Sequence, residues 1–172
     1  MFSCEMGLDT LYEIETFKIK LAISEPTLAL ARSPLDVATI LRPIYANLDA
    51  DQEHFSILLL NNKNRVRAHK VISSGSLTAS LVHPREVFKS VILYGAAAVI
   101  LCHNHPSGDP EPSPEDIEIT RRLVQCGDIF GIRMLDHVIL GADSIFSFAD
   151  RGMMHVRQVP VEPSRLGTTV EH

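Results

Sequence analysis

Apolar positions along this chain change their period several times, and each change marks an element. Residues 12–23 alternate loosely and are rich in β-branched and aromatic types, which predicts a strand that ends at Ser24, Glu25 and Pro26. Ser33 followed by Pro34 has the form of an N-cap with proline at the first helical position and predicts a helix over 34–46, with Pro43 placed to kink or shorten it. The polar stretch 47–52 predicts a boundary between an N-terminal strand-and-helix appendage (1–48) and a main domain (49–155). Within that domain the apolar run 55–60, the polar turn 61–64 and the segment 66–72 predict a hairpin, and 76–82 a further strand. Pro84 opens a predicted helix that reaches about Tyr94, with Val87, Val91 and Ile92 on one face and Gly95 as its stop. Residues 96–102 (AAAVILC) are short, apolar and uninterrupted, the pattern of a central strand buried on both faces. A loop dense in proline and glycine follows, then a helix over 114–126 and strands over 132–140 and 144–148, which together make an α/β domain. After about residue 156, Pro160, Pro163 and Gly167 punctuate a tail without periodicity.

Composition narrows the possibilities. At 172 residues and 45% hydrophobic content the chain suffices for one domain with a proper core. Its net charge of -5 supplies no global positive field, which argues against extensive nucleic-acid contact and leaves room only for a local one. Cys4, Cys102 and Cys126 are odd in number and far apart, fitting neither a disulfide framework nor a paired-cysteine zinc ribbon, so a reducing cytoplasm is the expected location. The N-terminus lacks a basic region followed by an apolar stretch, and 96–102 is too short to span a bilayer, so no membrane contact is expected. Oligomeric state has no signature here.

The chemistry concentrates in His103-Asn104-His105-Pro106, six further residues, then Ser113-Pro114-Glu115-Asp116. Residues two apart at a strand end project to one side, so His103 and His105 offer two imidazoles to one point while Cys102 and Asn104 face away. The proline-restricted loop can return Asp116, in the first turn of the next helix, to the same point. Ser-x-x-Asp before a helix is also an ordinary capping arrangement, and a His-x-His pair alone is ordinary polar sequence. Their combination, after a buried strand and before a helix, points to a metal: two imidazoles and a carboxylate suit one Zn2+ per chain and leave a fourth position for water.

The spacing His-x-His-Pro-x6-Ser-x-x-Asp resembles the JAMM motif of the MPN+ metallopeptidase superfamily. More narrowly, residues 82–89 (VHPREVFK), 97–101, 103–109 and Leu135-Asp136-His137 resemble RadC-like proteins. The resemblance implies a mixed, mostly antiparallel β-sheet with helices on both faces, a deaminase-like three-layer sandwich. It implies zinc on His103, His105 and Asp116, and hydrolysis of a protein or peptide substrate, as a metallopeptidase or isopeptidase, by a zinc-activated water. The JAMM pattern places its general base far upstream, beside the first core strand, where Glu53 is the positional match and Glu86 the rival. Ser113 is implied as the oxyanion donor, a role that competes with capping the helix. Asn104 stands where the common peptidase pattern has serine or threonine. Asp136 and His137 are candidates to accept the outer N–H of a ligating imidazole, whereas His54, His69, His83 and His155 lack metal-like spacing and read as surface or packing residues. Two further readings are a DNA-repair-associated protein and an interaction module that binds zinc without turnover. An HNH nuclease is excluded because its residues are spread along a ββα unit, and a zinc deaminase because H-x-E and P-C-x-x-C are absent.

Overall fold

The computed structural model describes residues 29–75 and 82–154. The strand expected at 12–23, the tail after 156, Cys4, His155 and most of the strand expected at 76–82 lie outside the described residues; Val82 itself lies in a bend ahead of the second helix. The order of elements is α1 (Pro34–Tyr45), β1 (His54–Leu60), β2 (Val66–Ser74), α2 (Pro84–Leu93), β3 (Ala98–Asn104), α3 (Pro114–Phe130), β4 (Arg133–Leu140) and β5 (Ile145–Ser147). Among the described residues, no helix is long and apolar enough to cross a membrane.

The strands form one sheet in the order β2-β1-β3-β4-β5. β1 runs antiparallel to β2 and to β3, and β5 antiparallel to β4, while β3 and β4 are parallel because α3 carries the chain back between them. Two-residue alternation divides the central strands between two cores. Leu58, Leu60, Ala98, Ile100 and Cys102 face α1, which contributes Val37, Ala38 and Leu41. Phe55, Ile57, Leu59, Val99 and Leu101 face α2 and α3, which contribute Val87, Phe88, Val91, Ile119 and Leu123. The result is the helix–sheet–helix sandwich expected, with a mixed, mostly antiparallel sheet.

Most boundaries shift by a residue or two, and three of the departures have a local reason. Pro43 sits inside α1, which closes two residues later at Tyr45. β3 starts at Ala98 and not at 96, since the turn closing α2 extends through Gly95, whose φ is 56°. α3 runs four residues past Cys126 and ends at Gly131 in the left-handed conformation, φ 65°. Gly127 is therefore inside the helix. A Cβ there would meet Met134 Cγ at 2.7 Å and the Ile132 carbonyl at 2.8 Å, so glycine is the condition for the close approach of α3 to the chain that enters β4.

Candidate metal centre

The carboxyl end of β3, where the chain leaves the sheet for α3, collects the residues of interest. Alternation continues through His103, which faces the α3 side and is fully buried, while Cys102 belongs to the core under α1. His105 follows just beyond the strand, its N–H donating to the Leu140 carbonyl at 3.0 Å. The loop after it is held against the β4–β5 turn: Ala142 N–H donates to the Gly108 carbonyl at 2.9 Å, and a Cβ on Gly141 would stand 2.5 Å from that oxygen and 2.8 Å from Pro110 Cδ. This packing returns the chain to Ser113 and α3.

At the start of α3 the capping arrangement and the candidate ligand are the same residue. Ser113 accepts from Asp116 N–H at 3.1 Å, and Asp116 Oδ2 accepts from Ser113 N–H at 2.8 Å and from its hydroxyl at 2.7 Å. Asp116 is thereby held rigidly, with Oδ1 3.2 Å from His103 Nε2 and Oδ2 3.5 Å from His105 Nε2; the two Nε2 atoms are 2.9 Å apart. One donor atom from each of His103, His105 and Asp116 lies within 4.8 Å of the others, a group able to hold a metal ion. The separations lie near the edge of a tetrahedron with arms of about 2.1 Å, roughly 3.4 Å.

Hydrogen-bond directions fix the imidazole tautomers. The Thr120 hydroxyl donates to the Asp116 carbonyl, which can only accept, so its contact with His137 Nδ1 is one in which the imidazole donates. His137 Nε2 then carries a lone pair and accepts from His103 Nδ1–H at 2.8 Å. His103 Nε2 is left bare. His105 Nδ1–H donates to the Asp109 carbonyl at 2.7 Å, which leaves its Nε2 bare as well. Two lone-pair nitrogens and a carboxylate therefore converge with no proton of their own to share. In metal-free protein the bare nitrogens differ in their readiness to take up a proton: burial draws His103 below the ordinary imidazole value, while the bond that a protonated His105 makes to Asp116 draws His105 above it. Burial would raise Asp116, but the bonds it accepts from His103 and His105 when these are protonated outweigh burial and hold the carboxyl well below the usual range. A cation at the centre satisfies all three groups at once, so the donor set fits a metal such as zinc.

The surroundings are apolar and ordered. Phe55 stacks on His103 with ring centroids 6.1 Å apart, and Phe148 stacks on His137 at 4.8 Å. His137 is fully buried, and burial keeps its pKa well below the ordinary value. Of the pair Asp136 and His137, only His137 reaches a candidate ligand; Asp136 accepts from the Ser147 hydroxyl at 2.7 Å and from the N–H groups of His137 and Ala149.

Glu53 and Glu86 are separated by the structure. In the β1–β3 pairing Phe55 opposes His103 and Ser56 opposes Cys102, so continuing it past the start of β1 sets Glu53 opposite His105 and on the same face. Glu53 is half-buried there, and its charge is among those that raise His103 and His105. Glu86 is exposed in the first turn of α2, 3.3 Å from Arg85. His54 and His69 are packing residues: His54 donates from Nε2 to the Asp49 carbonyl and accepts at Nδ1 from Ser74, and His69 packs edge-on to Tyr45. His83 is the exposed N-cap of α2.

A model of the RadC-like JAB domain matches residues 31–153. The chain is 58% identical over 106 residues to a UPF0758 protein of Geotalea uraniireducens, covering 62% of this chain and 46% of that one. It is 54% identical over 122 residues to one from Symbiobacterium thermophilum (71% and 51%) and 47% identical over 133 residues to one from Desulforamulus reducens (77% and 58%). The chain thus spans about half the length of the curated relatives it matches.

Proposed function

This chain belongs to the RadC-like JAB domain family, and on that premise we propose that it is a zinc-dependent hydrolase of amide or isopeptide bonds in a protein or peptide substrate. The observation that carries the reading is the convergence of His103 Nε2, His105 Nε2 and Asp116, the two imidazoles bare by the direction of their outer hydrogen bonds. Zinc in that position supplies a Lewis acid that polarises a carbonyl and acidifies water.

The protein's own groups supply the rest. Glu53, on the metal face beside His105, accepts the proton of the attacking water and returns it to the leaving amine. Ser113 spends its one hydroxyl proton on Asp116 Oδ2. Its role as oxyanion donor therefore requires that proton to turn from the carboxylate to the developing substrate oxygen, while Ser113 N–H keeps Asp116 in place. Phe55 stacks on His103 and Phe148 on His137, which covers these two imidazoles and keeps their planes fixed.

The test is cleavage of peptide and isopeptide-linked libraries by zinc-loaded protein, with Glu53→Gln as control. The expected result is cleavage by wild type and a loss of at least about 100-fold in Glu53→Gln at unchanged zinc content. Zinc-loaded, folded protein that cleaves no library member would replace this reading with that of a metal-binding module without turnover.

A further inference from the structure

Asn104 lies between the two candidate histidine ligands but faces away from them, and both polar atoms of its side chain are bonded. Oδ1 accepts from His54 N–H at 2.8 Å, and Nδ2 donates to the Gln52 carbonyl at 2.9 Å. These two groups belong to the peptide planes on either side of Glu53. The Glu53 carbonyl is held as well, accepting from Gly75 N–H at 2.9 Å. With both flanking planes fixed, φ and ψ of Glu53 are fixed, and so is the direction of its Cα–Cβ bond.

The surrounding anchors act on the same short segment. The imidazole of His54 donates to the Asp49 carbonyl at 2.7 Å and accepts from the Ser74 hydroxyl at 2.8 Å, and the Tyr45 hydroxyl donates to the His54 carbonyl at 3.0 Å. Those bonds tie His54 to its neighbours, and the Tyr45 hydroxyl also reaches the Cys102 carbonyl at 3.3 Å; Asn104 ties both peptide planes that flank Glu53 to the strand that carries His103. We propose that Asn104 is a positioning residue: it braces the backbone on both sides of Glu53 and so sets that carboxylate beside the His103, His105 and Asp116 cluster. An amide suits this task because it carries donor and acceptor on two atoms of one fork; a serine or threonine hydroxyl carries both on a single atom one bond from Cβ.

The inference rests on Glu53 as the proton-accepting group, so its test separates the two. Wild type, Asn104→Ala, Asn104→Asp and Glu53→Gln are compared by amide hydrogen exchange in metal-free protein and by visible absorption after cobalt(II) loading. In Asn104→Ala, His54 N–H is expected to exchange about tenfold faster, with the remaining β1 amides unchanged. Asn104→Asp keeps the acceptor and loses the donor, so His54 stays protected. Both variants at 104 are expected to shift the cobalt bands in the direction seen for Glu53→Gln while binding one cobalt per chain, and the aspartate variant carries this test if the alanine variant does not fold. Unchanged exchange at His54 in a folded Asn104→Ala overturns the brace. Wild-type cobalt bands in both 104 variants, or in Glu53→Gln itself, overturn the positioning role. Failure of wild type to take up cobalt sinks the hydrolase reading instead and leaves the brace to be decided by the exchange rate.

Discussion

At the scale of single residues, what distinguishes this site from a group of polar side chains is the assignment of protons. The chain from the Asp116 carbonyl through Thr120 and His137 to His103 determines that His103 presents a lone pair to the cluster. His137→Ala removes the acceptor of His103 Nδ1–H and is expected to weaken zinc binding by about 10- to 100-fold, measured by competition with a chelator, with the sheet intact by circular dichroism. Thr120→Val, close in shape, takes away the hydroxyl that accepts from His137 Nδ1–H and is expected to weaken zinc binding in the same direction. An unchanged zinc affinity in both would mean that the proton assignment does not govern the site. The sequence offered Asp136 and His137 together as acceptors for a ligating imidazole, but the proton assignment itself was not legible in it. His137 lies 34 residues from His103, and only the parallel β3–β4 pairing, in which Leu101 opposes His137, brings it to the same face. Leu135-Asp136-His137 could be singled out by resemblance, but which member of the pair serves the ligand could not.

At the scale of elements, helix capping and metal binding share their parts. The sequence leaves Ser-x-x-Asp open between a cap and a ligand set; in the fold Asp116 Oδ2 completes the cap while Oδ1 faces His103. Ser113→Ala is therefore expected to cost about 1 kcal/mol of stability in a denaturant titration and to weaken zinc binding in the same variant. Loss of stability without loss of affinity would show that the cap does not hold Asp116 for the metal. The loop between the histidines and α3 depends on Gly141, where a Cβ would collide with backbone at Gly108. Gly141→Ala is expected to destabilise the fold by about 1 to 3 kcal/mol and to lower zinc affinity as the loop moves. Period and punctuation found the elements because local propensity and core burial agree along most of the chain. They failed at Gly127, where a helix-interrupting residue is kept for the close packing of α3 on Met134, and at β3, which starts where sheet pairing starts and not where the apolar run does.

At the scale of the whole molecule, the buried imidazoles tie stability to pH. In metal-free protein burial keeps His137 well below, and His103 below, the ordinary imidazole value of about 6.5. As pH falls through that value the unfolded chain binds protons that the folded chain refuses, so these two groups lower stability on its acid side. His105, raised chiefly by its bond to Asp116, acts in the opposite sense: its contribution is full below about 6.5 and is lost as pH rises through its raised value. Relative to wild type, His137→Gln is expected to lose less stability between about pH 7 and pH 5, measured by urea unfolding of the metal-free proteins. Equal losses would mean that His137 takes up its proton as readily in the folded state as in the unfolded one. The α/β class was legible from the order of strands and helices, the sandwich that buries these groups from the resemblance, and the two-sided burial of β3 from its uninterrupted apolar run. The order of the strands was not legible, because pairing across the sheet leaves no periodic trace in one sequence.

The most direct test of the central claim is zinc per chain by elemental analysis of tag-free wild type, His103→Ala and Asp116→Ala, each shown to be folded. About one zinc per chain is expected in wild type, and its loss in both variants. Absence of zinc from wild type after reconstitution, or equal zinc in all three, would contradict the claim.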